Sequence, residues 1–367
     1  MTNASHILSR RTLIGAGMGI AACPSTLLAR TSAATGLIAG TYANGGGPGL
    51  VRLVAGPQGW RAATPLPAIR NVSFGVRSAT TGLRYLLDEQ TEGRLGIYDA
   101  RFNRLADLST LGADPCHAAL SPDGRRLAVA NYSSGCVALF ALDRAGRPLG
   151  EGTRIQHEGS GPNRDRQAGP HAHWVGFTAR GSQLHSVDLG ADAVFLHRLG
   201  AGGAIDTSIA YRTEAGAGPR HLARHPRLPV AYLVTELANT VTVLRAHPDG
   251  RFTALATLST LPKGFAGASA AAHIAVNAAG TRLYISNRGH DSIAVFAIQR
   301  DGGLTLLQHA GCGGHWPRLF LLREAGGELL VANQRSGNIA RLPLARDGRL
   351  GTPSRGLAMP GVVFVSA

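Results

Sequence analysis

The sequence predicts an all-β fold: a seven-bladed β-propeller whose C-terminal strand pairs with the N-terminal blade. Three observations lead there. One phrase recurs along the chain, running from a turn through an apolar strand, a polar residue and a short turn into an alternating strand. The copies are spaced as propeller blades are. The last residues also read as a Val-rich strand that the first blade otherwise lacks.

The clearest copies are Ser121-Pro-Asp-Gly-Arg-Arg-Leu-Ala-Val-Ala-Asn131 and Asn277-Ala-Ala-Gly-Thr-Arg-Leu-Tyr-Ile-Ser-Asn287. Counting weaker copies, seven polar anchors mark the ends of equivalent strands: Thr41, Glu89, Asn131, Asp188, Glu236, Asn287 and Asn333. Successive gaps are 48, 42, 57, 48, 51 and 46 residues, against a blade period of about 40–50. The long gap predicts an insertion, placed at residues 159–169. Period-2 strands follow the anchors, as in Cys136-Val-Ala-Leu-Phe and Ser292-Ile-Ala-Val-Phe, and turns such as Pro248-Asp-Gly end them. The chain enters at a second strand, residues 37–42, and Gly361-Val-Val-Phe-Val365 supplies that blade's first strand. Closing the ring this way leaves no open sheet edge.

Composition agrees. Apolar residues make up 44% of the 367, aromatics only 5%, and 49 residues are Gly. That is enough to build a core but is rich in turns. The formal charge is +15, carried almost wholly by Arg. Such a surface attracts anions. The cations are scattered without runs or interleaved aromatics, so nucleic acid is not an expected partner. Cys116, Cys136 and Cys312 lack metal-type spacing. They read as small buried thiols, with a Cys116–Cys136 bridge as the alternative, and no metal or other cofactor is expected.

Residues 1–34 read as a leader and residues 35–367 as the propeller. Ser9-Arg10-Arg11-Thr12-Leu13-Ile14 precedes a short apolar stretch, which fits a twin-arginine-type signal peptide and a periplasmic or secreted protein. The apolar run is too short for a transmembrane helix. Cleavage is expected after Ala33 or Ala34. A second reading takes Ile20-Ala21-Ala22-Cys23 as a lipobox, with a lipid anchor at Cys23.

Propeller geometry then says where chemistry collects. The start of a blade's first strand and the end of its second lie at the same face, since antiparallel neighbours run that way. The residues at those places should ring one mouth of the central channel. They are His171, His173, Arg220, His221, His273, Trp316 and Arg318 on first strands, and Glu89, Asn131, Tyr132, Asp188, Glu236, Asn287, Arg288 and Asn333 on second strands, with His290 and Asp291 following. Imidazole, carboxylate and guanidinium converging on a cleft make an acid–base and anion site. Asn and Asp at strand ends also cap turns through their own side chains, and Arg220 with Glu236 also reads as a plain salt bridge.

At these residues the chain resembles the seven-bladed lactonase family, which includes propeller-type 6-phosphogluconolactonases and is related to carboxymuconate-lactonising enzymes. The matching stretches are Gly161-Pro-Asn-Arg-Asp-Arg-Gln-Ala-Gly-Pro-His-Ala-His173, Gly218-Pro-Arg-His-Leu-Ala223, Ser286-Asn-Arg-Gly-His-Asp-Ser-Ile-Ala-Val-Phe296, and Trp316-Pro-Arg318 with Val331-Ala-Asn-Gln334. Where the family usually shows Glu and Asn, this chain has His273 and Leu319. The resemblance implies a catalytic set of Glu236, His173, Arg220 and Arg288, with His171 the neighbouring choice for the imidazole. Substrate contacts are expected from His171, His221, His290, Asp291, Asn287, Asn131, Asp188, Arg318 and Asn333. The activity implied is hydrolysis of a sugar-type, anionic lactone by a monomer, with Glu236 or His173 as base and an Arg at the oxyanion. Two rivals remain at this point: the reverse lactonising cycloisomerisation, and a non-catalytic binding propeller of the periplasm.

Overall fold

Each copy of the repeat folds into one four-stranded antiparallel sheet. A computed structural model of the chain describes residues 36–57 and 59–367, and the leader expected over residues 1–34, with Cys23, lies outside them. Among the described residues there are seven sheets of four strands. The second blade runs Gly75–Arg77, Arg84–Asp88, Arg94–Tyr98 and Arg104–Ser109, and the fifth runs Pro219–Arg224, Val230–Thr235, Thr240–Ala246 and Phe252–Ser259. The first blade is composite. Val362–Ser366 pairs antiparallel with Leu37–Thr41, and Tyr42 N–H donates to Gly361 O at 2.8 Å. The two ends of the propeller therefore close the ring as the sequence indicates.

The cores lie between neighbouring blades. Val230, Tyr232, Val241 and Val243 of the fifth blade pack on Leu283, Ile285, Ala294 and Phe296 of the sixth. Each such Leu, Ile, Val or Phe, fully buried, stabilises the fold by about 1.5–3 kcal/mol. Alternation explains the choice: each second strand sends residues to both faces, and both faces meet another blade. Tyrosine hydroxyls join adjacent blades as well. Tyr85, Tyr232 and Tyr284 donate to the Gly146, Gly302 and Gly348 carbonyls, which lie in the outer hairpin of the next blade, at 2.6, 2.9 and 2.8 Å.

The three cysteines of the propeller are free and buried, so the Cys116–Cys136 bridge is not formed. The insertion is real and short: Arg164–Gln167 forms one helical turn, with the Asn163 side chain accepting from Arg166 N–H. Among the described residues no helix is long and apolar enough to cross a membrane.

Candidate active site

First and second strands meet at one mouth with the register that the repeat implies: Pro115 opposite Asn131, Pro219 opposite Thr235, Ala270 opposite Arg288, Pro317 opposite Asn333. A feature of the backbone adds to this. The register of the first strand slips by one residue just inside the mouth, between Pro115 and His117, Ala172 and Trp174, Pro219 and His221, and Pro317 and Leu319. The extra residues are Cys116, His173, Arg220 and Arg318. A bulge re-aims the side chain it carries, and these four come within reach of one another's charge. Cys116 Sγ lies 3.7 Å from His173 Nδ1, and His173 feels the fields of Arg220 and Arg318.

Glu236 is the hub. It lies just beyond Val230–Thr235 and is 3% exposed. Its Oε2 accepts from Arg220 Nε at 3.0 Å and pairs with Arg288 Nη2 at 2.7 Å, while its Oε1 accepts from Arg166 Nη2 at 2.7 Å. Burial alone would raise the Glu236 pKa. Arg288, Arg220, His173 and Arg166 overcome that and hold it well below the usual carboxylate range. Three guanidiniums thus keep this carboxylate ionised, and it is a poor proton acceptor.

Other bonds lock the arginines. Arg220 Nη1 donates to Ala272 O and His221 Nε2 at 2.8 and 3.1 Å, and burial together with Arg288 brings its pKa down to about 9. Arg288 Nε donates to Ala270 O at 3.1 Å and its guanidinium stands 5.5 Å from the Trp316 ring centre. Arg166 is the most exposed of the three, at 39% of its side chain, and its Nη2 also donates to Tyr132 Oη at 3.2 Å. Tyr132 stacks on His171 with ring centres 4.5 Å apart, and His171 Nδ1 donates to the Tyr132 carbonyl at 3.0 Å.

His173 is 6% exposed and stands 5.4 Å, ring to ring, from Tyr132. Burial first and Arg220 second depress its pKa well below 6.5, while Glu236 opposes them. Its imidazole is neutral at pH 7. Across the mouth a second charged group gathers: Arg318 reaches Glu89 at 3.5 Å and lies 5.3 Å from the Tyr42 ring centre.

Below the mouth lies a layer of aromatic rings. Phe74, His117, Trp174, His221, His273, Phe320 and Phe364, one from each blade, form a chain of ring contacts with centroids 4.1–5.6 Å apart. Burial and Arg220 bring His273 to about 3, and burial with Arg220 pushes His221 well down. Burial pushes His117 down as well, so the ring layer beneath the mouth is uncharged.

The structure brings Glu236, His173, Arg220, Arg288, His171 and Arg318 together at this mouth, with His221 just beneath it against Arg220. It does not bring the rest. Asn131, Asn287 and Asn333 are fully buried, and their Nδ2 groups donate to the Thr110, Thr260 and Cys312 carbonyls of the preceding connections at 2.8, 2.8 and 3.1 Å. Asp188 holds the same place, accepting from His157 Nδ1 at 2.8 Å and from His171 N–H at 2.7 Å. These four are staples between blades. His290 bonds Ser292 and packs on Phe265, and Asp291, at φ 57°, accepts from Trp316 N–H and His315. Asp291 shapes the sixth-to-seventh blade connection and His290 packs against the fifth-to-sixth one, so the side chains of these six are engaged outside the cluster around Glu236. A polar residue at a strand end is as readily satisfied by backbone as by ligand, and the sequence does not separate the two.

Arg166 was the residue missed. Its only sequence signal was its place in the insertion between anchors, within the stretch shared with the lactonase family.

The sequence profile of the lactonase, 7-bladed β-propeller family matches residues 36–367. A 6-phosphogluconolactonase of Bacillus subtilis is 31% identical over 311 residues, covering 82% of this chain and 88% of that one. The periplasmic gluconolactonase of Pseudomonas aeruginosa superposes with a TM-score of 0.84 at 27% identity, over 90% of this chain and 98% of that one. A Lactobacillus plantarum protein superposes at 0.82 with 28% identity, over 90% and 98%. With its blade count and ring closure in agreement, the chain belongs to the seven-bladed β-propeller lactonase family.

Proposed function

We propose that the protein is a carboxylic ester hydrolase that opens an anionic sugar-type lactone at this mouth, after export to the periplasm by the twin-arginine route. The observation that carries the reading is Glu236, held by three guanidiniums beside a neutral imidazole. The mouth holds Arg166, Arg220, Arg288 and Arg318 against Glu89 and Glu236, a local excess of two positive charges. This favours a substrate with its own phosphate or carboxylate. The same guanidiniums repel a metal ion, so water activation falls to a side chain.

Glu236 does not accept the proton. His173 does: its lone pair is free at neutral pH, and it takes a proton from water as the water oxygen bonds to the lactone carbonyl carbon. The Glu236 charge next to it stabilises the imidazolium that forms, as the carboxylate of a hydrolase triad does. Arg220 Nη2 and Arg288 Nη1, uncommitted among the described residues, face the oxyanion of the tetrahedral intermediate. Collapse breaks the ring C–O bond, and the imidazolium returns its proton to the leaving oxygen. The product is an open-chain hydroxy acid. Arg166, at the outer edge, binds the substrate's anionic group.

The test is hydrolysis of a phosphorylated and a neutral aldonolactone by the mature chain, with Glu236→Gln and Arg288→Ala beside it. Faster turnover of the phosphorylated lactone, lost in both variants, is the expected result. Parent-like rates in both variants would overturn the assignment. Retention of the precursor in the cytoplasm when Arg10 and Arg11 become Lys tests the export route, and unimpeded export refutes it.

A further inference from the structure

One inter-blade junction, at the end of the disc away from the mouth, carries an imidazole where three others carry a phenol. Three second strands carry a Tyr whose hydroxyl donates to a Gly carbonyl of the next blade: Tyr85, Tyr232 and Tyr284. In the fourth blade His185 takes that slot and makes the same bond, Nε2–H donating to Gly250 O at 2.7 Å. Unlike a phenol, an imidazole has a second nitrogen. His185 Nδ1 accepts from Arg224 Nη2 at 2.8 Å.

Arg224 breaks the pattern too. It ends the first strand of the fifth blade, opposite Ala231. The equivalent positions are Leu120, Phe177, Val276 and Leu322 in four other blades, and Arg77 in the second. A guanidinium thus replaces an apolar side chain on an inner strand. Its plane is held 5.6 Å from the Phe252 ring centre. Nε and Nη1 have no partner among the described residues. Burial lowers the Arg224 pKa and no carboxylate counters it, while burial, then Arg224, brings His185 down to about 4. Arg224 is thus a partly buried cation without a counter-ion, its free nitrogens open to the cavity, and departures from local consistency concentrate at functional sites.

Arg224 opens into a cavity of about 370 Å³ between the fourth and fifth blades, also lined by Arg180, Arg251, His185, His247 and Phe252, with no carboxylate in its lining. That is a ligand-sized volume. Asp249 lies beside it, its carboxylate 3.9 Å from Arg251 and both side chains mostly exposed. The strand that carries Arg224 here carries Arg220 at the lactone mouth, about 13 Å away along four residues, with the aromatic layer between.

We propose that this cavity is a second anion site, independent of the lactone mouth, which binds a small organic phosphate or carboxylate on Arg224, with Arg180 and Arg251 closing over it. The His185–Arg224 bond presents the guanidinium edge to the ligand, and Phe252 keeps its face covered.

The experiment is calorimetric titration of the mature chain with phenyl phosphate and, separately, with benzoate, which ranks the two head groups. Arg224→Gln and His185→Tyr are the variants, the second installing the residue that three other blades use and keeping the bond to Gly250. Expected is saturable one-to-one binding of at least one probe, weakened about tenfold or more in both variants, with lactone hydrolysis within about twofold of the parent. Absence of saturable binding to the parent overturns the proposal. So does binding unchanged by both variants, or abolished by Arg288→Ala, which would put the probe at the mouth.

Discussion

Replacing Glu236 by Gln keeps the shape of the hub and removes its charge. Arg220 and Arg288, both nearly buried, then face each other with no anion between them. Each lost pair, at a charge separation of about 4 Å and an effective dielectric near 20, is worth about 4 kcal/mol of attraction. Relief of the carboxylate's own desolvation offsets much of this. Breaking one side of a buried pair nets about 3–5 kcal/mol of destabilisation. Arg166 is left out of the sum because its exposed side chain is screened by water. For about 330 residues the unfolding entropy near the midpoint is about 0.7 kcal/mol per degree, so Tm should fall by about 4–7 °C. Scanning calorimetry or circular dichroism at pH 7 reads this. The pH dependence supplies an independent check. The Glu236 pKa is depressed on folding, so its contribution is present above its ordinary value of 4.5 and is lost as pH falls below that towards the folded-state value. The gap between parent and variant should therefore shrink in acid. A variant as stable as the parent at pH 7, or a gap that widens in acid, would refute the view of Glu236 as the charge that holds this mouth together.

Three further outcomes are expected. Substituting His173 with Ala should lower kcat by about a hundredfold or more. In the parent kcat/KM should stay level as pH drops through 6.5, because the imidazole is still neutral there; a fall centred at 6.5 in the pH–rate profile contradicts this. Arg166→Ala should raise KM for a phosphorylated lactone by about tenfold through loss of a charge-assisted contact, with a much smaller effect on a neutral one, and equal effects on both would remove Arg166 from substrate binding. Asn287→Ala should lower unfolding free energy by about 0.5–1.5 kcal/mol, because the Thr260 carbonyl loses one of its two side-chain donors and keeps only His309 Nε2, while kcat/KM holds; a selective loss of activity in denaturant-matched assays would return Asn287 to the site.

Blade number, ring closure and the end of the disc where Glu236, Arg220 and Arg288 gather were legible along the chain. Each depends on local signals that repeat: Ser121-Pro-Asp-Gly and its copies, the anchors from Thr41 to Asn333, and the Val-rich tail. Antiparallel pairing then fixes which strand ends share a face, so Glu236, Arg220 and Arg288 could be placed near one opening from 16- and 52-residue separations alone. Tertiary structure decided which polar anchors join the charged cluster at the mouth. Asn131, Asn287 and Asn333 carry the same pattern as Glu236, yet they spend their amides on neighbouring carbonyls, because an amide satisfies a carbonyl and a carboxylate cannot. The bulges that turn Cys116, His173, Arg220 and Arg318 inward, the reach of Arg166 across 70 residues to Glu236, and the Arg224 cavity on the far face likewise depend on register and packing between blades. Those interactions join residues remote in sequence, and the period of a single strand carries no record of them.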